Sequence, residues 1–193
     1  MFKQNTITTD EDEEKPNIIV ENNRIYFYTD VTKHNISLLC TELYKIENKM
    51  LKIKHDYNLQ EDPHIYIHIQ SDGGDAFAGL AGMDTIQSCK LPVVTICDGF
   101  VASAATFLLF GGTKIVMRKH SNLLIHQIRT EFWGKYNDLC DEYKNCEKLM
   151  EMIREIYTEN SAIPNKKIDT ILNKELNLTP KECLKFKLIH EII

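Results

Sequence analysis

Residues 65–112 constrain the fold more tightly than any other part of the chain, because they carry one pattern twice. I-Y-I-H-I-Q (65–70) alternates β-branched and other side chains as a strand does. S-D-G-G-D (71–75) follows as a tight turn, and residues 76–89 then show helical spacing rich in Ala and Gly. The pattern repeats after Pro92. V-V-T-I-C (93–97) is a short buried strand, Asp98-Gly99 is the expected turn, and a helix begins around Ser103 and ends at Gly111-Gly112. Strand, turn and helix in this order imply an α/β domain with mainly parallel pairing.

The flanks fit the same plan. N-R-I-Y-F-Y-T-D (23–30) predicts a strand ending in a turn, and residues 36–51 predict a helix. Residues 52–64 are polar and close with Pro63, so they read as a loop. K-I-V-M (114–117) and N-L-L-I-H (122–126) are two more short strands. Residues 136–160 contain no Gly or Pro and predict one long helix. Two short helices near 165–174 and 179–186 and a strand at 188–193 complete the chain. No internal repeat of longer period is present.

Charge and composition exclude several classes. The 193 residues suit one domain, and 43% hydrophobic content suits an ordinary core. The net charge of -5 argues against non-specific nucleic-acid binding and against an anionic membrane surface. No apolar run reaches the roughly 18 residues needed to cross a membrane. T-T-D-E-D-E-E-K (8–15) reads as part of a solvated, poorly ordered tail over residues 1–20, leaving 21–193 as the domain. Met1 to Lys15 has no apolar core, and the six cysteines form no C-x-x-C pair. Free thiols in a reducing compartment, the cytoplasm, are the resulting expectation. His64 and His68 lie along a strand roughly 13 Å apart, too far to share a metal ion. Neither a metal nor a cofactor is expected, and no phosphate-binding loop for ATP is present.

Ser103 is the candidate nucleophile, in D-G-F-V-A-S-A-A-T-F (98–107). By itself a serine in such a run is usually a packing residue. Backbone N–H groups at a strand-to-helix turn lack intrahelical partners and can hold developing negative charge. If the two turns lie side by side, the amides of Gly74 and Ala104 form an oxyanion hole next to Ser103. His126, at a strand end, is then a sensible general base.

These segments resemble the Clp protease proteolytic subunit (ClpP) family of serine peptidases. I-Y-I-H-I-Q-S-D-G-G-D is similar to the family's strand and S-P-G-G turn. G-F-V-A-S-A-A-T-F-L-L resembles the nucleophile segment G-x-A-A-S-M-G-A-F-L-L, which puts the serine at Ser103. S-N-L-L-I-H-Q resembles N-S-R-x-M-I-H-Q, which puts the histidine at His126. L-T-P-K-E-C-L-K-F-K-L-I-H-E-I-I resembles the closing helix and strand. The resemblance implies the ClpP/crotonase-like α/β fold, with repeated strand-turn-helix units and a long handle helix where rings meet. It also implies cleavage of unfolded polypeptides by an ATP-dependent Clp-type complex. Its subunits would form a homo-oligomeric ring, a heptamer or double heptamer, served by an AAA+ unfoldase.

Three departures accompany it. The family's acid is an aspartate four residues before the Thr or Ser opening the 179–186 helix; here Glu175 stands there, with Asp169 as a rival. The proline of S-P-G-G is Asp72, and His68 replaces an aromatic common in the family's unfoldase-docking pocket. Residues 52–62 look like an insertion, and the front of the chain has no clear match to the family's axial-pore segment. Two alternatives follow: an idle structural subunit of a mixed Clp ring, and a crotonase-type enzyme acting on acyl-CoA. Trp133, Tyr136 and the Leu149, Met152, Ile156 stripe read as packing or ring contacts, and Cys89 and Cys97 as small buried hydrophobes.

Overall fold

The computed structural model describes residues 18–193. A seven-stranded sheet forms its centre, in the order β1-β2-β3-β4-β5-β7, with β6 paired to β4. The strands are β1 (Ile18–Glu21), β2 (Arg24–Phe27), β3 (Ile65–Ser71), β4 (Val93–Ala102), β5 (Lys114–Met117), β6 (Asn122–Leu124) and β7 (Glu191–Ile192). Every pairing is parallel except β1 with β2. Helices α1 (Lys33–Asp56), α2 (Ala76–Gln87) and α3 (Ala105–Phe110) follow β2, β3 and β4. Helices α4 (Tyr136–Glu159), α5 (Asn165–Leu172) and α6 (Pro180–Lys185) complete the chain. This is the mixed α/β architecture expected.

The core follows from the strand pattern. Ile25, Phe27, Ile65, Ile67 and Ile69 are fully buried and pack with Leu39 and Leu43 of α1 and with Leu108 and Leu109 of α3. β3 is inaccessible at most positions: β2 and β4 pair with its edges, and Ile65, Ile67 and Ile69 face the core under α1 and α3. The opposite face of the sheet carries a smaller cluster, Val94, Ile96 and Val116 with Tyr66.

Four local expectations need correction. Residues 18–20 belong to β1 rather than to the tail. Asn22 adopts φ 57° between β1 and β2, and the Asn-Asn turn folds Ile18 back against Phe27. The acidic run 8–15 lies outside the described residues. Helix α1 continues past residue 51 to Asp56, with Met50 and Leu51 packed against the core. The polar residues beyond simply occupy its solvent side, and no Gly or Pro stops it before Tyr57. Asp98-Gly99 is not the turn into the helix, because β4 runs through it to Ala102. Instead the ladder to β3 shifts register there, Ile69 facing Cys97 but Ser71 facing Val101. Gly99 absorbs that bulge at φ 61°, a left-handed conformation that costs glycine little. Finally, β6 and β7 are shorter than their sequence segments, ending at Leu124 and Ile192.

The bulge matters for position. Before it, Val94–Cys97 pair with β5; after it, Phe100–Ala102 pair with β6. The strand therefore delivers Ser103 beside β6, not beside β5.

Candidate active site

Ser103 sits at the junction of β4 and α3 with φ 54°, one of the described non-glycine residues in the left-handed region. Such a conformation is sparsely populated and persists where surrounding contacts impose it. Those contacts are visible. The Ser103 amide donates to Leu124 O at 2.9 Å, continuing the β4–β6 ladder. The Ser103 carbonyl accepts from Thr106 Oγ1 at 2.6 Å and from the Thr106 amide at 2.9 Å. Thr106 Oγ1 lies 2.8 Å from the hydroxyl of Tyr157, which is 1% exposed, tying the far end of α4 to the serine turn. Neither Thr106 nor Tyr157 is visible as a site residue in the sequence. The one signal was a threonine three positions after the serine.

The glycine turn lies directly against this junction. A Cβ added at Gly73 would fall 2.6 Å from Ser103 Cβ, 2.8 Å from Ala102 O and 3.1 Å from the Ala104 amide nitrogen. Val31 donates to Gly73 O and accepts from the Asp75 amide, each at 2.8 Å. This bridge uses the edge of the turn on either side of Gly74 and turns the Gly74 amide to the other edge. Among the described residues neither the Gly74 nor the Ala104 amide has an acceptor. The Gly73 amide, by contrast, donates to Ser71 Oγ at 3.2 Å. A groove of about 680 Å³ opens beside the glycines, lined by Asp30, Val31, Lys33, His34, Asp72 and Asp75 among others.

His126 stands two residues past the end of β6. Leu123 and Leu124 face Val101 and Ala102 in register, so the backbone beyond runs alongside Ser103. A third segment closes on the same place. Leu123 and Leu178 exchange two backbone hydrogen bonds, at 3.0 and 2.7 Å, and the Gln127 amide donates to Leu172 O at 3.0 Å. Residues 172–178 therefore run antiparallel to 123–127, and Glu175 stands midway along them.

The side chains are not joined into a relay. His126 Nδ1 is buried and has no hydrogen-bond partner. The Glu175 carboxylate is exposed and is held by Arg129 Nη2. That hydrogen bond, then the Arg129 charge, keeps the Glu175 carboxyl below its usual range, with a smaller pull from nearby His126. The rival Asp169 is paired with Arg154 Nε at 2.8 Å.

The outer face of the sheet carries a second cleft, of about 530 Å³, lined by Arg24, Tyr66, His68, Ile96 and Arg118 among others. His68 is buried there, its Nδ1 2.7 Å from Asp98 and its Nε2 3.1 Å from Arg24 Nη1. Arg118 Nε and the Tyr28 hydroxyl also donate to Asp98, at 2.7 and 2.8 Å. Burial alone would raise the Asp98 carboxyl, but the bonds from His68, Arg118 and Tyr28 outweigh it and hold the pKa at about 2. A depressed folded-state value contributes stability above the unfolded value of 3.8 and loses it as pH falls toward about 2. Asp98→Asn is therefore expected to lower stability at pH 7 and to flatten its acid limb between about pH 4 and 2. Urea midpoints of both proteins across that range check this.

No group of three or more His, Cys, Asp or Glu side chains suited to a metal ion occurs among the described residues. Nor is any described helix long and apolar enough to cross a membrane.

The comparisons with known proteins agree with this architecture. The model of the Clp protease family matches residues 13–193. The chain belongs to the Clp protease family. It is 28% identical over 169 residues to an ATP-dependent Clp protease proteolytic subunit of Oltmannsiellopsis viridis, covering 86% of this chain and 87% of that protein. A subunit of the same description from Deinococcus radiodurans is 33% identical over 134 residues, covering 68% of this chain and 66% of that one. Among solved structures, the ClpP1 N165D mutant from Listeria monocytogenes superposes with a TM-score of 0.76 at 20% identity, over 89% of this chain and 91% of that one. Membership of the Clp protease family implies peptidase activity. The likeness to the ClpP structure covers the alternating sheet-and-helix architecture, with which the 24-residue helix α4 is consistent.

Proposed function

We propose that this Clp protease chain is a serine endopeptidase in which Ser103 is the nucleophile, His126 the general base and Glu175 the residue that orients the imidazole. The observation that carries the reading is the strained Ser103 backbone at φ 54°, packed against the Gly73–Gly74 turn and bonded to β6 beside His126. Ser103 Oγ attacks the scissile carbonyl while His126 takes its proton and returns it to the leaving amine. The Gly74 and Ala104 amides receive the developing oxyanion, each worth about 3–4 kcal/mol in comparable sites. A hydrogen bond from His126 Nδ1 to the Glu175 carboxylate would stabilise the imidazolium as it forms.

The substrates are unfolded polypeptides that lie along the groove beside Asp72 and the glycines. The named relatives are proteolytic subunits of ATP-dependent proteases. On that footing this chain assembles into a ring, a heptamer or double heptamer, and works with an AAA+ unfoldase. Exposed Trp133, Tyr136, Leu139 and Tyr143, at and before the start of α4, support a contact between copies there. An unfoldase docking on the outer sheet face would meet the polar Arg24–His68–Asp98–Arg118 network and would need matching polar groups.

A second reading has one observation in its favour. His126 Nδ1 lacks an acceptor while Glu175 is engaged elsewhere, as an idle structural subunit of a mixed ring allows. Turnover of a fluorogenic peptide by the purified, assembled protein separates the two. Hydrolysis supports the peptidase; a folded, assembled protein that turns over nothing supports the idle subunit.

A further inference from the structure

Arg129 lies in the irregular segment between β6 and α4, three residues after His126, and its guanidinium reaches Glu175 46 positions away. The pairing has a cost inside the site. The Glu175 carboxylate is engaged by the guanidinium and makes no hydrogen bond to the imidazole, and His126 Nδ1 is left buried without an acceptor. A buried polar atom without a partner is uncommon and calls for a reason. No other described carboxylate substitutes: Asp169, on α5, is held by Arg154.

We propose that Arg129 is an autoinhibitory positioning residue, holding Glu175 off His126 Nδ1 in the resting chain so that release of this ion pair completes the acid–base relay. The proposal rests on the serine-peptidase reading above. Arg129 touches no reacting atom; it acts through Glu175. Both partners are solvent-exposed, 71% and 55% at the side chain, so the pair is weak, screened by salt and readily exchanged. The imidazole offers the same carboxylate a buried donor, and each turnover that charges His126 favours the exchange.

The size of the effect follows from that weakness. Removing a pair of this kind should raise kcat for a fluorogenic peptide by about two- to fivefold. KM should not move, since Arg129 acts through the Glu175 carboxylate that it holds and not on the substrate. The test measures kcat and KM for the full-length assembled protein, Arg129→Met, Arg129→Lys, Glu175→Ala and the Arg129→Met, Glu175→Ala double variant. The proposal expects a gain with Arg129→Met, a return toward the wild-type rate with Arg129→Lys, and no gain from Arg129→Met once Glu175 is alanine. Raising salt to about 0.5 M should reproduce part of the gain in the wild type and none of it in Arg129→Met. An unchanged or lower kcat in Arg129→Met, or the same gain in the Glu175→Ala background, overturns the proposal. Ser103→Ala tells the two failures apart. If it abolishes hydrolysis while Arg129→Met changes nothing, only the latch falls. If it leaves the rate intact, the peptidase reading falls and the latch with it.

Discussion

Replacing Ser103 with alanine should lower peptide hydrolysis by at least about 10⁴-fold without unfolding the chain. The expected loss is large because removing the hydroxyl oxygen removes the covalent route that divides amide hydrolysis into two easier steps. What would remain is binding and the proposed oxyanion amides, which accelerate weakly without a nucleophile. The fold should tolerate the change. The contacts that hold residue 103 at φ 54° are backbone ones: its amide on Leu124 O and its carbonyl on the Thr106 hydroxyl and amide. Alanine keeps both and meets the same left-handed cost as serine, so the thermal midpoint should stay within a few degrees. Hydrolysis rates and thermal unfolding of the two proteins, measured side by side, check both halves of the expectation.

Gly73→Ala should be nearly as damaging by a different route. The new methyl group would have to occupy space 2.6 Å from Ser103 Cβ and 2.8 Å from Ala102 O, closer than real Cβ atoms approach such neighbours. Gly73 also adopts φ 100°, where an L side chain is strained whatever the space. The two turns must separate, and the Ala104 amide, 3.1 Å from the added carbon, moves away from the Gly74 amide. Loss of one oxyanion donor costs about 10²–10³-fold in kcat, and displacement of the pair should cost a similar amount. Because the change lies in a turn and not in the core, the sheet should survive with lowered stability. A kcat reduction with KM largely retained is the expected signature, read from peptide kinetics alongside circular dichroism.

The parts of this molecule that could be read from sequence are those with a local rule behind them. I-Y-I-H-I-Q and V-V-T-I-C became β3 and the start of β4 because β-branched alternation between turns has few other outcomes. Residues 136–160 became α4 because nothing in them breaks a helix. The Gly74, Ala104, Ser103 and His126 segments lie side by side because parallel pairing of β3, β4 and β6 brings their carboxyl ends to one edge. The misses have equally local causes. The Asn-Asn turn at 22–23 closes a hairpin without a glycine, so its local signal is weak beside the charged run that precedes it. Gly99 looked like the end of a strand and is a bulge within one, a distinction that depends on Gln70 of the neighbouring strand. Arg129 could not be found as the partner of Glu175, since an exposed side chain in an irregular segment has no periodicity to betray its reach. The Thr106–Tyr157 contact escaped for the same reason, 51 residues separating its two hydroxyls.

Peptidase membership and the fold do not by themselves make Ser103 reactive; in the mechanism we propose, activation by His126 does. The most direct measurement is covalent labelling with a fluorophosphonate, followed by mass mapping of the adduct in the folded, assembled protein. A single adduct on Ser103 is predicted, absent in Ser103→Ala and strongly slowed in His126→Ala. A folded protein that stays unlabelled at Ser103, or labels equally fast without His126, would contradict the account.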